Sequence, residues 1–124
     1  MREIIFRGKR VDNGKWVEGG ILQFEDYVAI VRHSDYHEWH DFVEVIPKTV
    51  GQYTGLTDKN GKKIFEGDIV KGTFYGYPMP FENYVFEIGW QEDVAGYKAN
   101  YFENVEVIGT IHDNSELIGG KDDE

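Results

Sequence analysis

Glycine divides this sequence into segments too short for ordinary helices. It supplies 15 of 124 residues, well above the usual ~7%. Between the glycines stand aromatic and β-branched residues, and no extended window repeats apolar residues at the helical spacing of i, i+3, i+4 and i+7. Short runs of this kind bounded by turn formers predict strands joined by tight turns. The predicted strands cover 3–8, 15–22, 27–32, 42–46, 49–54, 62–65, 69–74, 84–90 and 105–111. Gly19-Gly20 is expected to bend the second of these. Pro47 is expected to stop the fourth. Asn13-Gly14 and Asn60-Gly61 each offer the two positive-φ positions of a type I′ hairpin. Asp113-Asn114-Ser115-Glu116 reads as a capping box, with Asp113 as N-cap, opening one short helical turn. The expectation is an all-β fold of short antiparallel strands with one short C-terminal helical turn.

The strand pattern restarts after Pro47-Lys48, which sets an N-terminal β sub-domain (1–48) against a C-terminal one (49–118). The closing Asp122-Asp123-Glu124 reads as part of a disordered acidic tail (119–124). The chain lacks cysteine, which removes disulfides, thiolate metal sites and thiol nucleophiles. Its apolar runs are too short to span a bilayer, and the N-terminus lacks the apolar stretch of a signal peptide. A cytoplasmic protein is expected. The formal net charge is −10, which disfavours a phosphate backbone as partner.

The run Ile46-Pro47-Lys48-Thr49-Val50-Gly51-Gln52-Tyr53-Thr54-Gly55-Leu56-Thr57-Asp58-Lys59-Asn60-Gly61, continuing as Lys62-Lys63-Ile64-Phe65-Glu66-Gly67-Asp68-Ile69-Val70, closely resembles the central motif of the YopX family of phage and prophage proteins. Ile5-Phe6-Arg7-Gly8-Lys9-Arg10 with Asn13-Gly14-Lys15-Trp16-Val17 resembles the family's N-terminus, and Val107 to Asn114 its C-terminus. The resemblance implies a β-rich fold whose C-terminal part is similar to an SH3-like barrel. It implies no established activity and carries over no catalytic residue. Each motif residue also has a structural role open to it. Gln52, Tyr53 and Thr54 would satisfy backbone at a strand end, Gly55 and Gly61 would release turns, and Gly67 would let Asp68 bond nearby amides.

Few residues suggest chemistry. His33, His37 and His40, with Asp35, Glu38 and Asp41, form the one metal-like cluster, and imidazole and carboxylate suit zinc, nickel or iron. Their spacing matches neither a metalloprotease helix nor a zinc finger, so a polar loop is the simpler reading. Gly55 to Lys63 fails as a phosphate loop because five residues separate its glycines and no helix follows. It fails as a calcium loop because Lys63 stands where a glycine is required. Ser34 and Ser115 lack the surroundings of a nucleophile. Bases gather at Arg7, Lys9 and Arg10 and again from Lys59 to Lys63, a weak basis for nucleic-acid contact.

Tyr75, Tyr77, Met79 and Phe81 fall in a segment broken by Pro78 and Pro80. Such side chains either fold back as a core plug, the reading given more weight, or stand out as an interface anchor. The functional expectation is a non-enzymatic protein-binding or assembly module without catalytic residues, metal or cofactor. Its partner would be a second copy or a phage or bacterial host protein, not a membrane or nucleic acid. The alternatives are a metal-dependent enzyme on the histidine cluster and nucleic-acid contact through the two basic segments.

Overall fold

A computed structural model describes residues 4–31, 42–76, 79–91, 96–97 and 102–118. The chain forms two compact units, 1–53 and 54–124. All sheets are antiparallel, and helix is limited to two short 3-10 segments among the described residues. No barrel closes among them.

The first unit holds β1 (Phe6–Lys9), β2 (Trp16–Gln23), β3 (Val28–Val31), β4 (Phe42–Val45) and the start of β5 (Gly51–Thr57), in the order β4-β3-β2-β1-β5. β2 serves two partners in succession. Its first half pairs with β1, ending at Phe6↔Gly19, and its second half pairs with β3, beginning at Gly20↔Val31. The expected bend is therefore a change of partner. Gly19 makes it possible, since a Cβ there would lie 2.0 Å from the Val31 carbonyl oxygen. β4 returns to the end of β1 through an Arg10↔Val45 bridge, and Gly8 admits the Val45 side chain. Ala29, Ile30 and Val45 have no exposed surface. After β4, Pro47–Thr49 forms a 3-10 turn. The Thr49 hydroxyl donates to the Ile46 carbonyl (2.6 Å) and accepts the Lys9 amide (2.9 Å).

The Asn-Gly hairpins differ from expectation. Gly14 and Gly61 have φ of +73° and +84°, but Asn13 and Asn60 are not in the positive-φ region. A type I′ turn needs both. Side chains dictate the alternative. The Asn13 Oδ1 accepts the Lys15 amide, while the Asp58 Oδ1 accepts the amides of Asn60 and Lys62. These Asx-type bonds hold a right-handed turn that leaves only the glycine in the left-handed region.

The second unit continues β5 and adds β6 (Lys63–Phe65), its sheet neighbour. β7 (Asp68–Phe74), β8 (Phe81–Glu87) and β11 (Glu103–Thr110) form a three-stranded sheet with β7 central, and β9 (Trp90–Gln91) pairs with β10 (Gly96–Tyr97). Gly55 lies within β5 at φ +89° and releases no turn. Thr54 lies inside the strand too, where its hydroxyl donates to the Ile64 carbonyl. Ile64, Val70, Phe86, Ile88 and Val105 form the core.

The Glu66-Gly67-Asp68 turn behaves as anticipated. Gly67 has φ +90°, and the buried Asp68 accepts the Phe65 amide at 2.8 Å. The turn also joins two parts of the unit, because the Gly67 amide donates to Ile88 and its carbonyl accepts Ile111. Gly67→Ala should destabilise the protein by about 1–2 kcal/mol, the cost of holding a Cβ in left-handed backbone. A lowered urea midpoint with unchanged slope checks this.

The expected short C-terminal helical turn is present as a 3-10 segment, Ser115–Ile118. The Asp113 carboxylate accepts the Thr110 hydroxyl, and the Asn114 amide oxygen accepts the Thr110 amide. The tail at 119–124 lies outside the described residues.

Candidate functional site

Residues paired across an antiparallel sheet point to the same face. Val70↔Phe86, Gly72↔Tyr84 and Phe74↔Phe81 thus place a row of side chains that starts in the core and ends at the surface. The last step is irregular, because β8 uses three residues where β7 uses two. Between Tyr84 and Phe81 lies Asn83, with φ +57°. Without that bulge, two residues three apart would face opposite ways. With it, both rings stand on one face.

β11 repeats the device on the other side of β7. Its register slips between Glu103↔Thr73 and Glu106↔Lys71, and Asn104 in the slipped stretch has φ +55°. Asparagine is the side chain best able to take this conformation. Gly72 lies between the two bulges, where an added Cβ would press on Val105 and on the Glu103 carbonyl at 3.1 and 3.2 Å.

The result is a joined set of rings. Phe102 is the hub, with centroids 4.4 Å from Phe86, 5.3 Å from Phe74 and 5.6 Å from Tyr84. Phe81 joins through Phe74 at 6.2 Å. Phe86 is buried, but exposure rises to 36% at Phe74, 42% at Tyr84 and 57% at Phe81. Tyr75 and Met79, between β7 and β8, are exposed at 62% and 65%. The described side chains of the proline-broken segment therefore stand outward, and the core-plug reading is corrected. Phe102 packs against the buried core. Tyr77 lies outside the described residues.

Phe102 also walls an open cavity of about 360 Å³ floored by Leu56, Ile64 and Val105. Thr57, Lys59 and Asn104 form its polar rim. Lys59 reaches Glu106 at 3.6 Å. Beneath the rim, Asp58 is 7% exposed, and its Oδ2 accepts the Val107 amide at 3.0 Å. Burial is the largest single influence on this carboxyl and pushes its pKa up. The amides of Val107, Lys62 and Asn60, with the charge of Lys62, together outweigh burial and leave the pKa lowered. The charge of Asp58 thus fixes the turn.

The N-terminal bases are drawn into the fold. Arg7 is 7% exposed, with its guanidinium 4.4 Å from the Trp16 ring centroid. Lys9 approaches the same ring at 5.6 Å. Arg10 makes a two-pronged pair with Asp12 at 2.9 and 2.8 Å, and this hydrogen bonding holds the Asp12 pKa low. His33, Asp35, His37, Glu38, His40 and Asp41 lie outside the described residues. Among the described residues no group of three His, Asp or Glu side chains is arranged to hold a metal ion. Among them, too, no helix is long and apolar enough to cross a membrane.

Phe74, Tyr84 and Phe102 were not singled out from sequence as site residues. The alternation from Tyr84 through Phe86 signals a strand, but nothing in it marks Phe102 as the side chain that gathers the rings.

The family model described as YopX protein matches residues 5–119. No curated protein matches the chain. Among solved structures, the crystal structure of protein EF1440 from Enterococcus faecalis is similar, at 23% identity and a TM-score of 0.54. The likeness covers 95% of this chain and 99% of that one, and it concerns the fold alone.

Proposed function

The chain belongs to the YopX family, and from that premise we propose that it is a non-enzymatic protein-binding or assembly module of a phage or prophage, acting in the host cytoplasm. The observation that carries this reading is the exposed set of Phe74, Phe81 and Tyr84, joined to the core through Phe102, with Tyr75 and Met79 exposed in the segment between β7 and β8. Phe74, Phe81 and Tyr84, grouped on one face rather than scattered singly, favour a docking surface. Bulges on both sides of β7 set the ring positions.

The second unit is best grouped with SH3-like barrels. Five short strands (β5 to β8 and β11) support this, as does the bonding of the β5–β6 turn to β11 through Lys59 N to Val105 O at 2.8 Å. Domains of that kind receive partners in grooves lined by aromatic side chains.

Tyr75→Ser combined with Phe81→Ser tests the docking role. Both residues are more than half exposed, so thermal stability should change little. Cross-linking and affinity capture from cells in which the protein is expressed should show a specific partner with the natural chain and lose it with the double variant. Equal capture by both chains would refute the proposal that this face docks a partner.

A further inference from the structure

We propose that the aromatic face takes a cationic segment of another protein, one bearing lysine or arginine beside an apolar anchor. The inference rests on the docking role proposed above and adds the chemistry of the partner.

Charge is the first argument. Residues 54–124 contain fourteen acidic and six basic residues, a formal −8 of the chain's −10. Glu103 pairs with Thr73, so this exposed acid lies across the sheet from the rings, and the charge that matters is that of the unit as a whole. An approaching acidic surface, a phosphate backbone or a second copy of this acidic unit would meet like charge. A cationic segment would meet opposite charge, which also speeds encounter.

The rings supply the second argument. A lysine or arginine head within about 6 Å of an aromatic face is attracted by the ring's quadrupole. Phe74, Phe81 and Tyr84 are each at least one-third exposed and stand beside one another. The same chain already uses this chemistry at Arg7 and Trp16, at 4.4 Å.

The cavity behind Phe102 supplies the third. About 360 Å³ with an apolar floor suits one large apolar side chain of the partner. The Thr57 hydroxyl and Asn104 amide at its rim can bond the backbone that carries the anchor. A cation on the rings and an anchor in the cavity would then come from one short stretch of partner.

Selection of a displayed random-peptide library on the full chain tests this. Enriched peptides should carry net positive charge with an aromatic or large aliphatic residue. Tyr75→Ser with Phe81→Ser should weaken their binding about tenfold or more. Binding should weaken as salt is raised, because salt screens the attraction between a basic peptide and the acidic unit. Enrichment of neutral or acidic peptides that still need Tyr75 and Phe81 would overturn the cationic assignment and leave the docking role standing. Basic peptides binding natural and variant chains equally, or no enrichment, would overturn both. A dimer formed through this face, seen by light scattering and abolished by the same pair of serines, would replace the cationic partner with a second copy.

Discussion

Gly19→Ala is expected to remove about 3 kcal/mol or more of stability, near the top of the range for forcing extra volume into a packed site. The new methyl would lie 2.0 Å from the Val31 carbonyl oxygen and 2.9 Å from its carbon. Both are backbone atoms, so no rotamer change relieves the contact. Relief requires β3 to move away from β2, which breaks the pairing that begins at Gly20↔Val31 and uncovers Ala29 and Ile30. Since domains of this size are stable by only about 5–15 kcal/mol, the variant should unfold at much lower urea. Gly20→Ala is the matched control. Nothing lies within 4 Å of a Cβ at that position, so its midpoint should stay within the equivalent of about 1 kcal/mol. Equal effects from the two substitutions would refute the close crossing.

That pair of glycines shows how far local pattern reaches. Gly-Gly inside an apolar run announces a bend, because interior glycine weakens a strand without some such purpose. Which of the two is required depends on where Val31 crosses, and that is set by a strand distant in sequence. The strands themselves were largely legible. Val28 to Val31 is a continuous apolar run buried at its centre, and Phe42 to Val45 alternates as a half-buried strand should. The short pair β9 and β10, two residues each, offers too few side chains for any periodicity to register.

The candidate site was harder to read for a definite reason. Strand logic assigns faces by counting in twos. Counting from Tyr84 places Phe81 on the opposite face, and the bulge at Asn83 reverses that assignment. The slip at Asn104 similarly breaks the count along β11 where it leaves Phe102. An asparagine in left-handed backbone leaves little local signature, since asparagine is common in ordinary turns as well. The exposed Tyr75, Met79 and Phe81 were accessible to sequence because two prolines mark their segment as irregular. Their association with Phe74 and Tyr84 was not.

The Asp58 carboxylate gives the second large effect. Asp58→Ala is expected to cost about 3 kcal/mol, because hydrogen bonds to a charged acceptor contribute about 1.5–3 kcal/mol each and this group accepts three backbone amides. Two bonds shape the Asn60-Gly61 turn, and the third ties that turn to β11 at Val107. Asp58→Asn should recover part of the loss, since one oxygen can still accept, but the amide group replacing the other oxygen presents a donor to a donor. The pH dependence has a definite sign. The folded pKa lies below its ordinary value, so the unfolded chain takes up the proton first as pH falls. The stabilisation is complete above the unfolded carboxylate pKa of about 3.9 and is lost as pH drops through the folded value. The stability gap between natural chain and Asp58→Asn should therefore be constant near neutrality and narrow only in acid below that point. Urea titrations of the two proteins across that window measure it. A gap that widened on acidification, or held constant throughout, would show that the turn does not depend on the charge of Asp58.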